Sequence, residues 1–451
     1  MTSLSDRTSH LLKQDLNASY PEISRGEGIY LYDTAGRDYI DGSSGAMTAN
    51  IGHGVREIGE AALAQSGKIA FTFRTQFTNG PAEALARKLA SLAPGDLNWV
   101  FFVNSGSEAS ENAIRIAIKY WQDLGQPARV KVLGRQLSYH GMTMGAMSIS
   151  GHNARRKDYG ALLHPFVTTP PPYCFRCPFG QEPESCNLEC ASAWETAIVE
   201  QDPATVAAVI VEPIIGASGG AIHAKRAGYL KRLREICDRH GVLLICDEVI
   251  TGLGRTGVWF ASAHQGIVPD IITTGKGTSA GYTPMASVII RDKIVEAFAA
   301  GGGLAPFGHT FSGNPLSAAI SLAVLSYVER HDLLRNARER GADLEAGLQA
   351  LAQRYPMMAD VRGQGLLWGF EIVRDRMTNE AFPASVNVNA RLVAHCFANG
   401  LVIYPAGVAP LNNACLVAPP LVIQKAEIGE LLERLDRSLA ALQKELFHAT
   451  E

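Results

Sequence analysis

Residues 241–277 read GVLLICDEVITGLGRTGVWFASAHQGIVPDIITTGKG. The opening VLLICDE is a short apolar strand ending in a carboxylate, the pattern of a buried parallel strand with chemistry at its C-terminal tip. Lys276 follows Asp247 by twenty-nine residues, at the end of a second apolar run, Asp270-Ile271-Ile272-Thr273-Thr274. It stands between Gly275 and Gly277, and glycine lets a backbone turn tightly and lets a flat ring approach without a Cβ in the way.

An Asp at one strand tip and a Lys at a later one suit pyridoxal phosphate (PLP). The amine condenses with the cofactor aldehyde, and the carboxylate keeps the pyridine nitrogen protonated so that the ring accepts electrons. Taken singly, Asp247 would serve as well as a turn cap and Lys276 as a solvated loop lysine. The motifs around them decide between the readings.

With 451 residues the chain is long enough for a large α/β core and a smaller second unit. Its net charge of −3 recommends neither nucleic acid nor an anionic membrane as partner. No stretch reaches ~18 uninterrupted apolar residues, so no transmembrane helix is expected. The polar start, MTSLSDRTSHLLKQDLN, has no apolar signal core. A cytoplasmic protein is the expectation.

Cys237, Cys246, Cys396 and Cys415 sit singly in apolar or helical contexts and read as buried spectators. Cys174, Cys177, Cys186 and Cys190 cluster in PPPYCFRCPFGQEPESCNLECA, an insertion-like loop at about 170–190. Four thiols this close are candidates for a structural zinc or an iron–sulfur cluster, although the spacing is no standard finger. Reduced thiols or disulfides between neighbours are the competing readings, and no metal is expected on balance.

Around this, the chain alternates strands and helices. Residues 1–20 read as a helical lead-in, and 28–33 with 38–42 as a β-hairpin. Helices are expected near 55–67 and 81–93. The strand 98–103 runs straight into Asn104-Ser105-Gly106-Ser107-Glu108-Ala109 and a helix. A strand, a Ser/Gly turn and a helix N-terminus make an anion site, because free N–H groups and the positive end of the dipole face a phosphate. An ordinary capping box from Ser105 or Ser107 is the local alternative.

A strand at 130–133 leads to Ser138-Tyr139-His140-Gly141, where an aromatic ring could lie on a flat cofactor. The strand 205–211 ends at Glu212, placing Glu212, Asp247 and Lys276 on one sheet edge. Ligands of open α/β sheets bind outside the carboxyl ends of the strands. A helix is expected at 225–240, a strand at 286–290 and a long helical stretch at 315–351. A second small α/β unit follows, with strands at 366–373, 401–404 and 415–417, a helix near 386–399 and a closing helix from 425 to about 448. The division expected is 1–55 as part of the smaller domain, 56–330 as the large cofactor-binding domain and 331–451 as the C-terminal small domain.

The motifs GEGIYLYDTAGRDYIDGSSG, NSGSEA, SYHG, EPIIGASGG, ICDEVITGLGRTGVWFA, TTGKG and HTFSGNP, in this order, resemble the class III (ω-) aminotransferases, PLP enzymes of fold type I. The resemblance covers nearly the whole chain. It implies an aspartate aminotransferase-like fold: a large domain with a mainly parallel seven-stranded sheet, and a smaller α/β domain built from both termini.

The resemblance also implies the site. Lys276 would carry the cofactor as a Schiff base and shuttle the proton, with Asp247 and Glu212 completing the catalytic set. Asp247 would pair with the pyridine nitrogen, Val249 would pack on the ring and Tyr139 would stack on its other face. The cofactor-binding set is then Ser105, Gly106, Ser107, Tyr139, His140, Glu212, Asp247, Val249, Lys276 and Thr310. Thr310 would reach the phosphate of the neighbouring subunit, so a homodimer is expected, with a tetramer as the larger alternative.

Two departures bear on substrate. Many relatives that act on amino acids place an Arg three residues before the Pro-Pro of a PPL motif, where it grips the α-carboxylate. Here that position is Leu416, and Ile215 stands where a Gln commonly follows the EP motif. An apolar slot suits an amine, or a substrate whose amino group is distant from any acid. Met47 and Tyr20 are pocket candidates by family analogy, with core packing the preferred role for each. The expected reaction moves an amino group from an amine or ω-amino acid to a 2-oxo acid such as pyruvate. A PLP lyase or decarboxylase on the same scaffold is the runner-up.

Overall fold

The computed structural model describes residues 10–408 and 412–447. An antiparallel N-terminal sheet comprises β1 (Ile23–Glu27), β2 (Tyr30–Asp33) and β3 (Asp38–Ile40). The expected hairpin is thus present, joined by one extra strand. Residues 10–20 form no helix, contrary to the sequence reading, and residues 1–9 lie outside the described residues. Leu11, Leu12 and Leu16 are exposed, so burial contributes little to a helix this short.

The large sheet contains β4 (Trp99–Val103), β5 (Lys131–Gln136), β6 (Ser150–Gly151), β7 (Thr168–Thr169), β8 (Val206–Val211), β9 (Leu243–Asp247), β10 (Ile271–Thr274) and β11 (Ala286–Ile290). Seven strands lie in the order β4-β11-β10-β9-β8-β5-β6, and the two-residue β7 pairs beside β5 as an eighth. Only β11 runs against the rest.

The central strands are apolar on both faces because both faces are covered. Val209 and Val211 of β8 join Leu244 and Cys246 of β9 in a cluster with Trp194, Leu233 and Leu325. The alternate residues Ala208, Ile210, Leu243 and Ile245 pack on the other side against Ala113, Ala117 and Phe298. Alternation along each strand therefore feeds two helical layers.

The smaller sheet, wholly antiparallel, runs β12 (Met358–Gln364), β13 (Leu367–Asp375), β16 (Ala414–Val417) and β15 (Tyr404–Ala406), with β14 (Glu380–Ala381) beside β13. Leu344, Leu348, Leu392, Leu431 and Leu435 cover it in one cluster that also takes in Ile29, Ile40 and Ile58 from near the N-terminus.

Two expected elements are placed differently. The helical stretch 315–351 is two helices, Pro315–Arg330 and Leu333–Arg354, parted at Asp332 with φ 48°. Asp tolerates that left-handed conformation, which few other side chains do. Leu401 makes only an isolated parallel bridge with Ile40, and the strand begins at Tyr404 instead.

Candidate active site

The tips of β8, β9 and β10 bring Glu212, Asp247 and Lys276 into the wall of one cavity of about 190 Å³. Gly106, Ser107, Tyr139, His140, Gly141, Ile214, Val249, Ile250 and Thr251 complete the lining. Three parallel neighbours end on the same side, so three residues distant in sequence meet without any long loop.

Asp247 is held from three sides. His140 Nδ1 lies 2.7 Å from its Oδ2, while Oδ1 accepts from the Val249 N–H and the Thr273 hydroxyl, each at 3.1 Å. His140 Nε2 is buried without a hydrogen bond. Burial pushes the Glu212 carboxyl up to about 7, against the opposing pull of His140 and Arg135. Its Oε2 makes no hydrogen bond, although Arg135 Nη2 stands 3.5 Å away. Arg135 also donates to the Glu212 carbonyl at 2.9 Å.

Lys276 Nζ donates to the Ala46 carbonyl at 2.5 Å. Burial, then the nearby Arg155, brings its ammonium down to about 8 from its ordinary 10.5. The flanking glycines do not serve the turn as the sequence reading supposed. The positive φ, 37°, is on Lys276 itself, and Gly275 is extended. The glycines provide space instead: a Cβ on Gly277 would meet Asn50 Nδ2 at 2.4 Å, and one on Gly275 would meet Val249 at 3.1 Å. A lysine held in a sparsely populated backbone region stores strain at the site.

The helix Gly106–Asp123 starts at the cavity. Ser105 is its N-cap, accepting from the Glu108 N–H at 3.2 Å, so the capping alternative describes Ser105 and its hydroxyl is committed. Gly106 and Ser107 line the cavity at the first turn, where helix N–H groups have no intrahelical acceptor. Ser107 Oγ accepts from the Met142 N–H at 3.0 Å. Thr310 is exposed and does not line this cavity.

The remaining candidates divide. Met47 is buried in a cluster with Ile214, Ala406 and Leu416 that Ile250 and Tyr404 join, and Ile214 and Ile250 give the cavity an apolar wall. Tyr20 is 47% exposed under Lys13, and so belongs neither to the core nor to this cavity. Ile215 is buried against Tyr173 and Ile222.

Cys174, Cys177, Cys186 and Cys190 are free, half-buried thiols lining one small cavity. Among the described residues no group of three or more His, Cys, Asp or Glu is arranged to hold a metal. The zinc or cluster reading therefore has no support in the geometry, and neighbouring disulfides are not formed. The loop braces the two sheets: the Tyr173 hydroxyl donates to the buried Glu371 of β13, and Arg176 pairs with the same carboxylate at 3.4 Å. The four single cysteines are buried, as expected.

Sequence reading missed Arg135, Arg155, Tyr404 and the carbonyl of Ala46. A charge inside an apolar strand was the available signal for Arg135. Arg155 and Tyr404 gave none, since tertiary folding alone brings them near Tyr139.

The cavity suits PLP on its own terms. It has a lysine whose amine is partly unprotonated near neutrality, a buried carboxylate with an oriented partner, a half-buried tyrosine ring, and a helix N-terminus for an anion. The family profile Aminotransferase class-III matches residues 14–439. The chain belongs to the class III aminotransferases.

The uncharacterized aminotransferase YodT of Bacillus subtilis is similar to it, 42% identical over 97% of this chain and 99% of that one. A putrescine–pyruvate aminotransferase of Pseudomonas aeruginosa is 34% identical over 93% of this chain and 91% of its own length. An amine transaminase from an uncultivated Pseudomonas species, solved in a PLP-bound form, has a TM-score of 0.90 at 32% identity, covering 97% of this chain and 99% of its own. This class III aminotransferase is accordingly a PLP enzyme of fold type I, with the expected mainly parallel large sheet and separate smaller sheet. Among the described residues no helix is long and apolar enough to cross a membrane.

Proposed function

We propose that this aminotransferase takes an amino group from an amine or ω-amino acid and passes it to a 2-oxo acid such as pyruvate. The observation that carries the reading is the apolar wall of Ile214 and Ile250, packed in one cluster with the buried Met47 and Leu416, in a cavity that also presents Lys276, Asp247 and Tyr139. The putrescine–pyruvate relative supports it.

Bound PLP would supply the electron sink that makes a substrate Cα–H acidic. Lys276 holds or moves the proton at Nζ, and its lowered affinity for a proton keeps a usable share of free amine near neutral pH. Asp247 offers a buried negative charge to the ring nitrogen, with His140 fixing its orientation. Tyr139 and Val249 would enclose the ring, and Gly106 and Ser107 would hold the phosphate. Glu212, retaining a proton up to about pH 7, offers a hydrogen bond rather than a full charge. Thr310, on an exposed turn, is proposed to serve the neighbouring subunit of a homodimer.

A panel of amines and ω-amino acids against pyruvate and 2-oxoglutarate, followed by absorbance, tests this. Amine alone should bleach the visible band stoichiometrically, and pyruvate should restore it. A preference for α-amino acids over every amine would refute the donor class.

A further inference from the structure

Two cations act on Lys276, Arg155 and Arg255. Arg255 is buried and committed, donating to the carbonyls of Leu366 and Pro419, to Ser44 Oγ and to Asn50 Oδ1. Arg155 is different. It comes from the short helix Asn153–Arg156, is half-buried, and lays its guanidinium 4.3 Å from the centroid of the Tyr139 ring. Its Nη2 donates to the Tyr404 hydroxyl at 3.2 Å, and no carboxylate among the described residues pairs with it.

A half-buried guanidinium with no carboxylate partner, set against the Tyr139 ring of the cavity lining, is placed to take an anion. Such a group forms paired charge-assisted hydrogen bonds with a carboxylate, and its planar fork sets the orientation. Tyr404 of β15 stands directly across from Leu416 of β16 in the sheet, and Leu416 is buried in the apolar cluster. Tyr404 thus joins both walls: its ring packs with the apolar cluster and its hydroxyl steadies Arg155.

We propose that Arg155, steadied by Tyr404 and by the face of Tyr139, binds the carboxylate of the 2-oxo acid acceptor. The proposal rests on the reading of a 2-oxo acid acceptor given above, and names the residue that recognises it. An amine donor needs no such contact and lies against the apolar wall. One cavity then admits an uncharged chain and a carboxylate in alternate half-reactions. The Gly106 and Ser107 end is left to the cofactor phosphate.

The test uses the holoenzyme and the variants Arg155→Leu and Arg155→Lys, with oxamate, an unreactive isostere of pyruvate, as binding probe in calorimetry. Losing a charge-assisted, two-pronged contact should raise the oxamate dissociation constant ~30-fold or more in Arg155→Leu, and less in Arg155→Lys. The ratio of kcat/KM for pyruvate over butanal should fall by a similar factor, with the loss in KM. Equal oxamate binding in wild type and Arg155→Leu overturns the proposal. So does a loss shared equally by pyruvate and butanal. A variant whose main defect is PLP affinity in apoenzyme titration places Arg155 on the cofactor phosphate and also overturns it. Failure of the wild type to restore its visible band with pyruvate would instead refute the acceptor reading itself, while oxamate binding still reports on Arg155.

Discussion

His140 Nδ1 lies 2.7 Å from Asp247 Oδ2, and both side chains are buried, although 107 residues separate them in the chain. The carboxylate only accepts, so Nδ1 carries the proton that bridges them. β5 and β9 are separated by β8 in the sheet, and the loop after β5 folds across the tips to deliver the imidazole. His140 is therefore a positioning residue for Asp247. Replacement of His140 by Ala should lower kcat ~10- to 100-fold, in proportion to a lost buried charge-assisted hydrogen bond of about 1.5–3 kcal/mol. Asp247→Asn should cost more, because it removes the charge as well. Steady-state kinetics with the cofactor spectrum compares the two.

Lys276→Ala should abolish the visible chromophore and lower turnover by at least ~10³-fold, since it removes both the covalent attachment and the proton carrier. Absorbance and a borohydride-trapped peptide map provide the check. Label on any other lysine would refute the assignment.

The Lys276 ammonium, brought down to about 8, makes a pH prediction for reconstitution. Only the free amine attacks an aldehyde, so the rate at which apoprotein takes up PLP should climb through about pH 8 and level above it. An unperturbed lysine would still be climbing near pH 10. Stopped-flow absorbance across pH 6–10 separates the two.

Glu212 gives a stability prediction for the apoprotein. Its carboxyl ionises near 4.5 when unfolded and near 7 when folded, so between those values the folded state holds more protons. Stability should fall as pH rises from about 4.5 to 7, by roughly 3 kcal/mol, and the contribution should be flat outside that window. Glu212→Gln should remove that slope in urea titrations run at several pH values.

Glu371 is fully buried, accepting from Arg362 at 2.9 Å, Asn413 at 2.8 Å and the hydroxyl of Tyr173. Glu371→Ala would leave the buried Arg362 guanidinium with only Asp360 as its carboxylate partner, a change expected to cost about 3–5 kcal/mol. Thermal denaturation should register it in the apoprotein. Because Tyr173 and Arg176 lie in the cysteine loop, the variant should also make that loop more open to proteolysis.

The order of motifs, the apolar strands and their polar tips were legible in the sequence. A buried parallel strand is an unbroken apolar run, and the residue just beyond it must lie at the sheet edge, which is why Asp247, Lys276 and Glu212 could be named and shown to meet. Local periodicity likewise marked the helix Gly106–Asp123. What tertiary structure alone decided was which distant side chains share a volume. Arg155, Tyr404 and Tyr139 come from three segments with no common periodicity, and only the packing of the layers brings the guanidinium between the Tyr404 hydroxyl and the Tyr139 ring. The same holds for the positive φ at Lys276 and for the gathering of the four thiols around one small cavity. Local sequence specifies the element and its end; the direction and distance between ends are set by packing the layers, which no single stretch encodes.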